Sequence, residues 1–316
     1  MNVLAQSVPE IPLGDWVDSG VTWIKANMSG LLDGISAVLE FLVDGLTSVL
    51  LWPPTLITIV LFALIAWLIY SWRFAVATLL GLLLIDSMQM WEPSMETLGL
   101  VLVAAVIAIA IAIPIGIWAS RNPIVSTVVR PILDFMQTMP GFVYLVPVVI
   151  FFGIGVVPGV FATIIFALPP GVRLTELAIR GVDEETVEAG TAFGATPREI
   201  LWGIQLPLGL PTIMAGVNQV IMLALSMAVI AGLVGGGGLG QEVVQSIARI
   251  DIGQGFEAGL AVVILAIYLD RITGAIGQPT GNGLWTKLRG RAGGSSDTPV
   301  DAPAEESEDR QPVATA

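Results

Sequence analysis

The sequence has no cysteine and no histidine among its 316 residues. These two absences exclude disulfides, thiolate nucleophiles, histidine acid–base catalysis and metal sites built on Cys or His ligands. No GxxxxGK(S/T) stretch occurs either, so the chain has no P-loop of its own with which to bind and hydrolyse ATP. We therefore expect no catalytic residue, no metal, no cofactor and no enzymatic activity in this chain.

Charge is also scarce. Only 12% of the residues are charged, 55% are hydrophobic and the mean hydropathy is +0.85, whereas about a quarter of a soluble domain is charged. The 13 basic residues are outnumbered by 26 acidic ones, which argues against nucleic acid as a partner. The composition predicts a membrane protein that crosses the bilayer several times.

Seven apolar stretches are candidate spans, and together they predict an all-α membrane protein. The third, sixth and seventh are long enough to cross the hydrocarbon, whereas the second, fourth and fifth are short. The fourth could begin earlier, within Val125–Met139. The predicted spans are Pro53–Tyr70, Phe74–Met88, Glu96–Ala119, Gly141–Val156, Gly159–Val172, Leu208–Leu233 and Phe256–Ile276.

The basic residues predict the orientation of these spans. With the N-terminus outside, eleven of the 13 basic residues lie inside, and only Lys25 and Arg249 lie outside. Since basic residues accumulate in cytoplasmic loops, we expect an outside N-terminus and a cytoplasmic C-terminus. The first fifty residues show no basic stretch followed by an apolar run, so no cleaved signal peptide is expected.

Two further segments flank the spans. Residues 29–50 form a predicted amphipathic helix with an acidic polar face, expected to lie on the outer interface or to pack on its own protein. Residues 293–316 are acidic and nearly free of large apolar groups, which predicts a disordered, solvated tail.

The stretch Glu188–Pro207 is the one long polar interruption between two very hydrophobic blocks. It predicts two short helices joined by a glycine. Asp183 is placed to cap the first helix, and Gly194 to end it with a positive φ angle.

The second short helix carries its own start signals. Thr196, Pro197 and Glu199 form a predicted capping box with proline at the first helical position, and Pro207 is expected to end the helix. An amphipathic loop lying on the bilayer is the alternative. The helix boundaries and charges of the segment favour a surface that receives another protein.

The run GGGGLG at 235–240 contains the GxGxxG pattern of dinucleotide sites. That pattern indicates a dinucleotide site only between a strand and a helix, whereas here it follows a predicted span. We interpret it as a flexible or tightly packed turn at the outer end of the sixth span.

Several polar residues fall at or near membrane depth. They could form interhelical hydrogen bonds or line a translocation path, and both interpretations remain open. Asp134 and Glu176 are expected to pair with nearby arginines. The candidate path residues are Gln137, Thr138, Asn218, Gln219 and Ser226.

Residues Glu188, Ala189 and Gly190, followed by Gly194, Ile204, Leu206 and Pro207, match the spacing E-A-A-x3-G-x9-I-x-L-P. This pattern resembles the coupling loop of binding-protein-dependent ABC importer permeases, with Gly190 in place of the second alanine. The stretches 133–147, 152–170, 205–226 and 261–271 resemble the glycine betaine/proline betaine (ProW-type) branch of that family.

The resemblance implies a type I ABC importer permease core of five helices with extra N-terminal spans, in a prokaryotic inner membrane. It divides the chain into an extracytoplasmic segment (1–50), two accessory spans (51–92), a permease domain (93–280) with a coupling loop at 183–207, and a cytoplasmic tail (281–316).

The resemblance also implies partners and a substrate. It predicts a homodimeric pore in membrane lipid, cytoplasmic ATPase subunits docked on the coupling loops, and an external binding protein that delivers a quaternary ammonium compatible solute. Another small substrate, such as an amino acid or a sulfonate, is the alternative. A secondary transporter would need ionisable groups at mid-membrane, which are scarce here.

Overall fold

The computed structural model describes residues 12–277, and within that range the secondary structure is helical, with no strand. The predicted all-α class is therefore confirmed. The first seven helices are α1 (Leu13–Asn27), α2 (Ser29–Leu51), α3 (Thr55–Ile69), α4 (Trp72–Ser87), α5 (Trp91–Arg121), α6 (Pro123–Thr138) and α7 (Leu145–Phe152). They are followed by α8 (Val156–Arg180), α9 (Glu184–Ala192), α10 (Pro197–Ile200), α11 (Leu206–Ala231), α12 (Gly238–Arg249) and α13 (Ile252–Gly277).

Helix α8 lies at the centre of the bundle and packs against both α5 and α11, which also pack against each other. Small residues allow this close approach, as is usual between membrane helices. A Cβ on Gly116 of α5 would stand 2.6 Å from the Cβ of Thr175, and one on Gly171 of α8 would stand 2.8 Å from that of Ala112. The three helices therefore form the rigid centre on which the remaining elements pack.

Five helices in the described range are long and apolar enough to cross a membrane, or six if a bent pair counts as one span. The fifth predicted span is longer than expected, since α8 extends over 25 residues. The first two predicted spans correspond to α3 and α4, which have 15 and 16 residues and are shorter than the roughly 20 needed to cross. These two helices form a hairpin that packs on α13.

The fourth predicted span, Gly141–Val156, is wrong as a single helix. The chain forms α6, breaks, and continues at Gly141 into a short helical segment that ends at Phe152, with a bend of 107° between the two halves. Pro140 explains the break, because it lacks an N–H and forces the residue before it out of the helical region. Met139 is extended, with a ψ angle of 132°.

Helix α2 packs on its own protein, one of the two placements expected for it. Leu39 and Val43 are buried, and Gly99 of α5 lies so close that a Cβ there would be 2.4 Å from Oγ1 of Thr47. This helix is also long and apolar enough to count as a candidate span. The predicted tail, 281–316, lies outside the described residues.

The prediction that Pro207 ends a helix is also wrong. Residues 197–234 form one continuous helical segment of 38 residues. A π-helical turn at Leu201–Gln205 lies just before Pro207, and Leu206 N–H donates to the carbonyl of Leu201. The wider turn lets the helix continue past a residue that cannot donate a hydrogen bond.

Candidate functional site

The segment Asp183–Pro207, called here the α9–α10 hairpin, is held by short-range hydrogen bonds of its own. Asp183 Oδ1 accepts from Glu185 N–H at 3.2 Å, and Gly194 has a φ angle of +84°. Thr196 N–H donates to Glu199 Oε2 at 2.7 Å, while Glu199 N–H donates to Thr196 Oγ1 at 3.4 Å. The two predicted caps, the capping box and the positive φ are confirmed.

Gly190, the departure from the family pattern, lies where the hairpin folds back on itself. A Cβ there would stand 2.6 Å from Cδ1 of Ile204 and 3.7 Å from Cγ1 of Ile200. The glycine therefore brings α9 closer to the following helix than an alanine would allow without a shift of Ile204. Gly190 and Ile204 are both half-buried in this contact.

The outward surface of the hairpin is polar with two large apolar side chains. Helix α9 has no buried residue among those described, and Glu188 and Ala189 are exposed. Phe193 is 92% exposed and Trp202 65%. Exposed aromatic side chains are enriched in surfaces that bind another protein.

Two arginines join the hairpin end of the bundle to α5. Arg121 donates through Nη2 to the carbonyl of Pro197 at 2.9 Å. Arg180, at the end of α8, donates through Nη2 to the carbonyl of Ala119 at 2.9 Å. The last turn of α5 therefore contacts both the beginning of α10 and the end of α8.

An ion-pair cluster lies beside this junction. Glu176 is buried, with 4% of its surface exposed, and its Oε1 accepts from Ser126 at 2.7 Å, Arg130 at 3.0 Å and Arg180 at 3.1 Å. Asp134 pairs with Arg173. The predicted pairing of both carboxylates is confirmed, and the charged groups line a cavity of about 300 Å³.

At the opposite end of α11, the segment Gly232–Gly240, called here the glycine loop, is tightly packed rather than open. A Cβ on Gly232 would stand 2.2 Å from the carbonyl carbon of Gly240, and one on Gly240 would stand 2.6 Å from the carbonyl oxygen of Ala228. Gly235, Gly237 and Gly238 have positive φ angles. Of the two interpretations given above, the tightly packed turn is correct.

Side chains from α5 cap the helix that follows this loop. Glu96 Oε2 accepts from Gly238 N–H at 2.8 Å, and Thr97 Oγ1 accepts from Leu239 N–H at 2.8 Å. Helix α12 has no side-chain cap of its own, so α5 supplies acceptors for its free N–H groups. Sequence reasoning missed both residues. The one available signal was a carboxylate near the start of a long apolar helix.

The five candidate path residues fall into two groups. Asn218 Nδ2 donates to Asp270 Oδ1 at 2.8 Å, and Asn218 Oδ1 accepts from Thr273 at 2.5 Å, so this residue joins α11 to α13. Gln219 and Ser226 are exposed on α11 at a spacing that puts them on one face. Gln137 and Thr138 are exposed just before the break between α6 and α7.

The described residues form a bundle of five or six membrane-length helices with an exposed, locally capped hairpin at one end. A family model described as "Binding-protein-dependent transport system inner membrane component" matches residues 112–278. The chain belongs to this family. It is a multi-pass inner-membrane permease.

Two similar proteins are described as betaine permeases. The chain is 48% identical to the glycine betaine/proline betaine transport system permease protein ProW of Escherichia coli K12, over 87% of this chain and 78% of that protein. It is 50% identical to the glycine betaine transport system permease protein OpuAB of Bacillus subtilis 168, over 84% of this chain and 94% of that protein.

A solved structure confirms the fold. An inward-facing form of the MetNI methionine ABC transporter aligns with a TM-score of 0.55 and 23% identity, covering 60% of this chain and 95% of that one. The structure therefore has the type I ABC importer permease fold that the resemblance implied.

Proposed function

We propose that this chain is the membrane subunit of an ABC importer that carries glycine betaine, or a related quaternary ammonium compatible solute, into the cell. The observation that carries the proposal is the identity of 48% and 50% to two betaine permeases over most of both lengths. Because the sequence has no P-loop, ATP is hydrolysed on a partner subunit.

In this proposal the α9–α10 hairpin docks on the cytoplasmic ATPase. Its coupling residues are Glu188, Ala189, Gly190, Gly194, Ile204, Leu206 and Pro207. The exposure of Phe193 and Trp202 supports a docking role, since 92% and 65% of their surfaces lie open. ATP-driven closure of the ATPases moves the hairpin, and the arginine contacts to α5 pass that motion to the permease domain, residues 93–280.

Two copies of the chain form the pore, and an external binding protein delivers the substrate. The exposure of Gln137, Thr138, Gln219 and Ser226 supports their place on a water-filled path between the two copies. The bonding of Asn218 to Asp270 and Thr273 supports an interhelical role for that residue instead.

The N-terminus lies outside and the C-terminus in the cytoplasm. The chain has no cysteine, so single-cysteine variants are clean probes. An impermeant maleimide should label Ser7→Cys and Ile250→Cys in intact cells, and Phe193→Cys only after lysis. Labelling of Phe193→Cys in intact cells contradicts the orientation. Labelling of Ser7→Cys only after lysis places the N-terminus inside, as a bilayer-crossing α2 would require.

The experiment that tests the function is uptake into proteoliposomes. With its ATPase and binding protein, the chain should accumulate labelled glycine betaine in the presence of ATP. The chain alone should move no betaine along a proton or sodium gradient. Gradient-driven transport by the isolated chain contradicts the ABC assignment. ATP-driven uptake of methionine or a sulfonate, without uptake of betaine, would agree with an ABC importer but contradict betaine as its substrate.

A further inference from the structure

Helices α3 and α4 are called here the accessory hairpin. A cavity of about 150 Å³ lies between α4 of this hairpin and α13, which belongs to the residues that match the family model. Phe74, Ala77 and Gly81 line it from α4, and Ile264 and Tyr268 line it from α13. The walls are almost entirely apolar. Apolar cavities of about this size stay free of water and accept small apolar molecules such as benzene.

The position of the cavity along α13 sets its depth in the membrane. Helix α13 is a candidate span from Ile252 to Ile276, and Ile264 is midway along it, about 18 Å from the start. The cavity therefore opens near the middle of the hydrocarbon. At that depth the abundant apolar molecule is the acyl chain of a phospholipid.

The mouth of the cavity opens on the outer surface of the bundle. Ala77 is exposed, and Ile267, which also lines the cavity, is 51% exposed. The neighbouring Val263 is 51% exposed as well. An acyl chain can thus enter laterally from the bilayer without any movement of the helices.

The inner wall is rigid and carries one polar group. The Phe74 and Tyr268 rings stack with centroids 6.4 Å apart, and the Phe62 ring lies 5.4 Å from that of Tyr268. The hydroxyl of Thr78 is buried and has no hydrogen-bond partner among the described residues. The buried hydroxyls of Thr47, Thr58 and Ser94 also have no partner among the described residues, so this feature is not particular to the cavity, whose lining is otherwise apolar.

We infer that this cavity is a binding site for a phospholipid acyl chain, which fills the space between the accessory hairpin and α13. The acyl chain fills the space that the direct contacts of α3 and α4 with α13 leave open. The site is distinct from the α9–α10 hairpin and from the polar positions on α11.

The test uses the full-length chain in lipid nanodiscs that contain a phospholipid with a mid-chain diazirine. After illumination, peptides are mapped by mass spectrometry. Cross-links should concentrate on residues 74–82 and 264–268, above the level around Val106, an exposed residue midway along α5. Ala77→Phe, which fills the mouth, should reduce these cross-links at least fivefold. Val76→Phe places the same side chain on the side of α4 opposite the cavity and should leave them unchanged.

If phenylalanine at this position prevents folding, Ala77→Leu is a smaller substitution that fills less of the mouth. It should reduce the cross-links by an intermediate amount. Equal cross-linking in the filled variants and in Val76→Phe contradicts the proposal. Cross-linking at residues 74–82 and 264–268 no greater than around Val106 contradicts it too.

Discussion

The α9–α10 hairpin and the glycine loop lie at opposite ends of α11 and are held in opposite ways. The hairpin is exposed and closed by hydrogen bonds within three residues, such as those between Thr196 and Glu199. The glycine loop is buried and held by Glu96 and Thr97, which are 142 residues away in the chain. A locally capped element keeps its shape by its own hydrogen bonds, whereas one held by tertiary contacts depends on the rest of the bundle.

Helix α5 touches both regions. Its first turns hold the glycine loop through Glu96, and its last turn holds the hairpin through Arg121, about 38 Å further along the helix. We therefore expect substitutions in the glycine loop to lower stability and transport together. Substitutions in the hairpin should reduce transport and leave stability nearly unchanged.

The largest expected effect is that of Gly240→Ala. The new Cβ would stand 2.6 Å from the carbonyl oxygen of Ala228 and 2.8 Å from that of Val229, and backbone atoms cannot move aside cheaply. We expect a loss of about 3 kcal/mol in the free energy of unfolding, measured by thermal unfolding in nanodiscs. Gly259→Ala, at a site with open space, is the control and should unfold like the wild type.

The next effect is that of Glu96→Ala, which removes the acceptor for Gly238 N–H. Leaving that buried donor unpaired should cost about 1–3 kcal/mol, and uptake should fall with stability. Glu96→Gln keeps an amide oxygen at the same place and should recover most of both. If the alanine variant melts like the wild type, α5 does not hold the loop.

Gly194→Val tests the other region. The φ angle of +84° disfavours a β-branched residue by about 1 kcal/mol or more, but the surrounding space is open. We expect normal insertion, a small change in melting temperature, and loss of both uptake and substrate-stimulated ATP hydrolysis. Gly203→Ala, in the same hairpin with open space and no positive φ, should transport normally. Wild-type uptake by Gly194→Val would mean that the hairpin does not couple the two subunits.

Glu188→Ala should have the smallest effect. The side chain is exposed, so the stability of the free chain should not change. One charged contact at a large interface is worth about 1 kcal/mol, which predicts a several-fold weaker affinity for the ATPase in a binding titration. Unchanged affinity would place Glu188 outside the interface.

The contrast between the two regions also explains what the sequence could reveal. The caps of the hairpin were predictable because Asp183, Thr196 and Glu199 act on neighbours in the chain. Glu96 was not, since its partner is brought near only by the fold. Pro207 misled because the π-turn at Leu201–Gln205, which no sequence pattern signalled, lets the helix continue. Pro140 breaks the predicted fourth span. The helix before the break, α6, was anticipated only as a possible earlier start of that span, within Val125–Met139.

The most direct test of the account is which end of the bundle meets the ATPase. A photoactivatable maleimide can be attached to Phe193→Cys on the hairpin or to Ile250→Cys beyond α12, since both positions are at least 85% exposed and the chain has no other cysteine. In the assembled transporter, the account predicts cross-links from residue 193 to the ATPase and none from residue 250. Cross-links to the ATPase from residue 250, with none from residue 193, would contradict it.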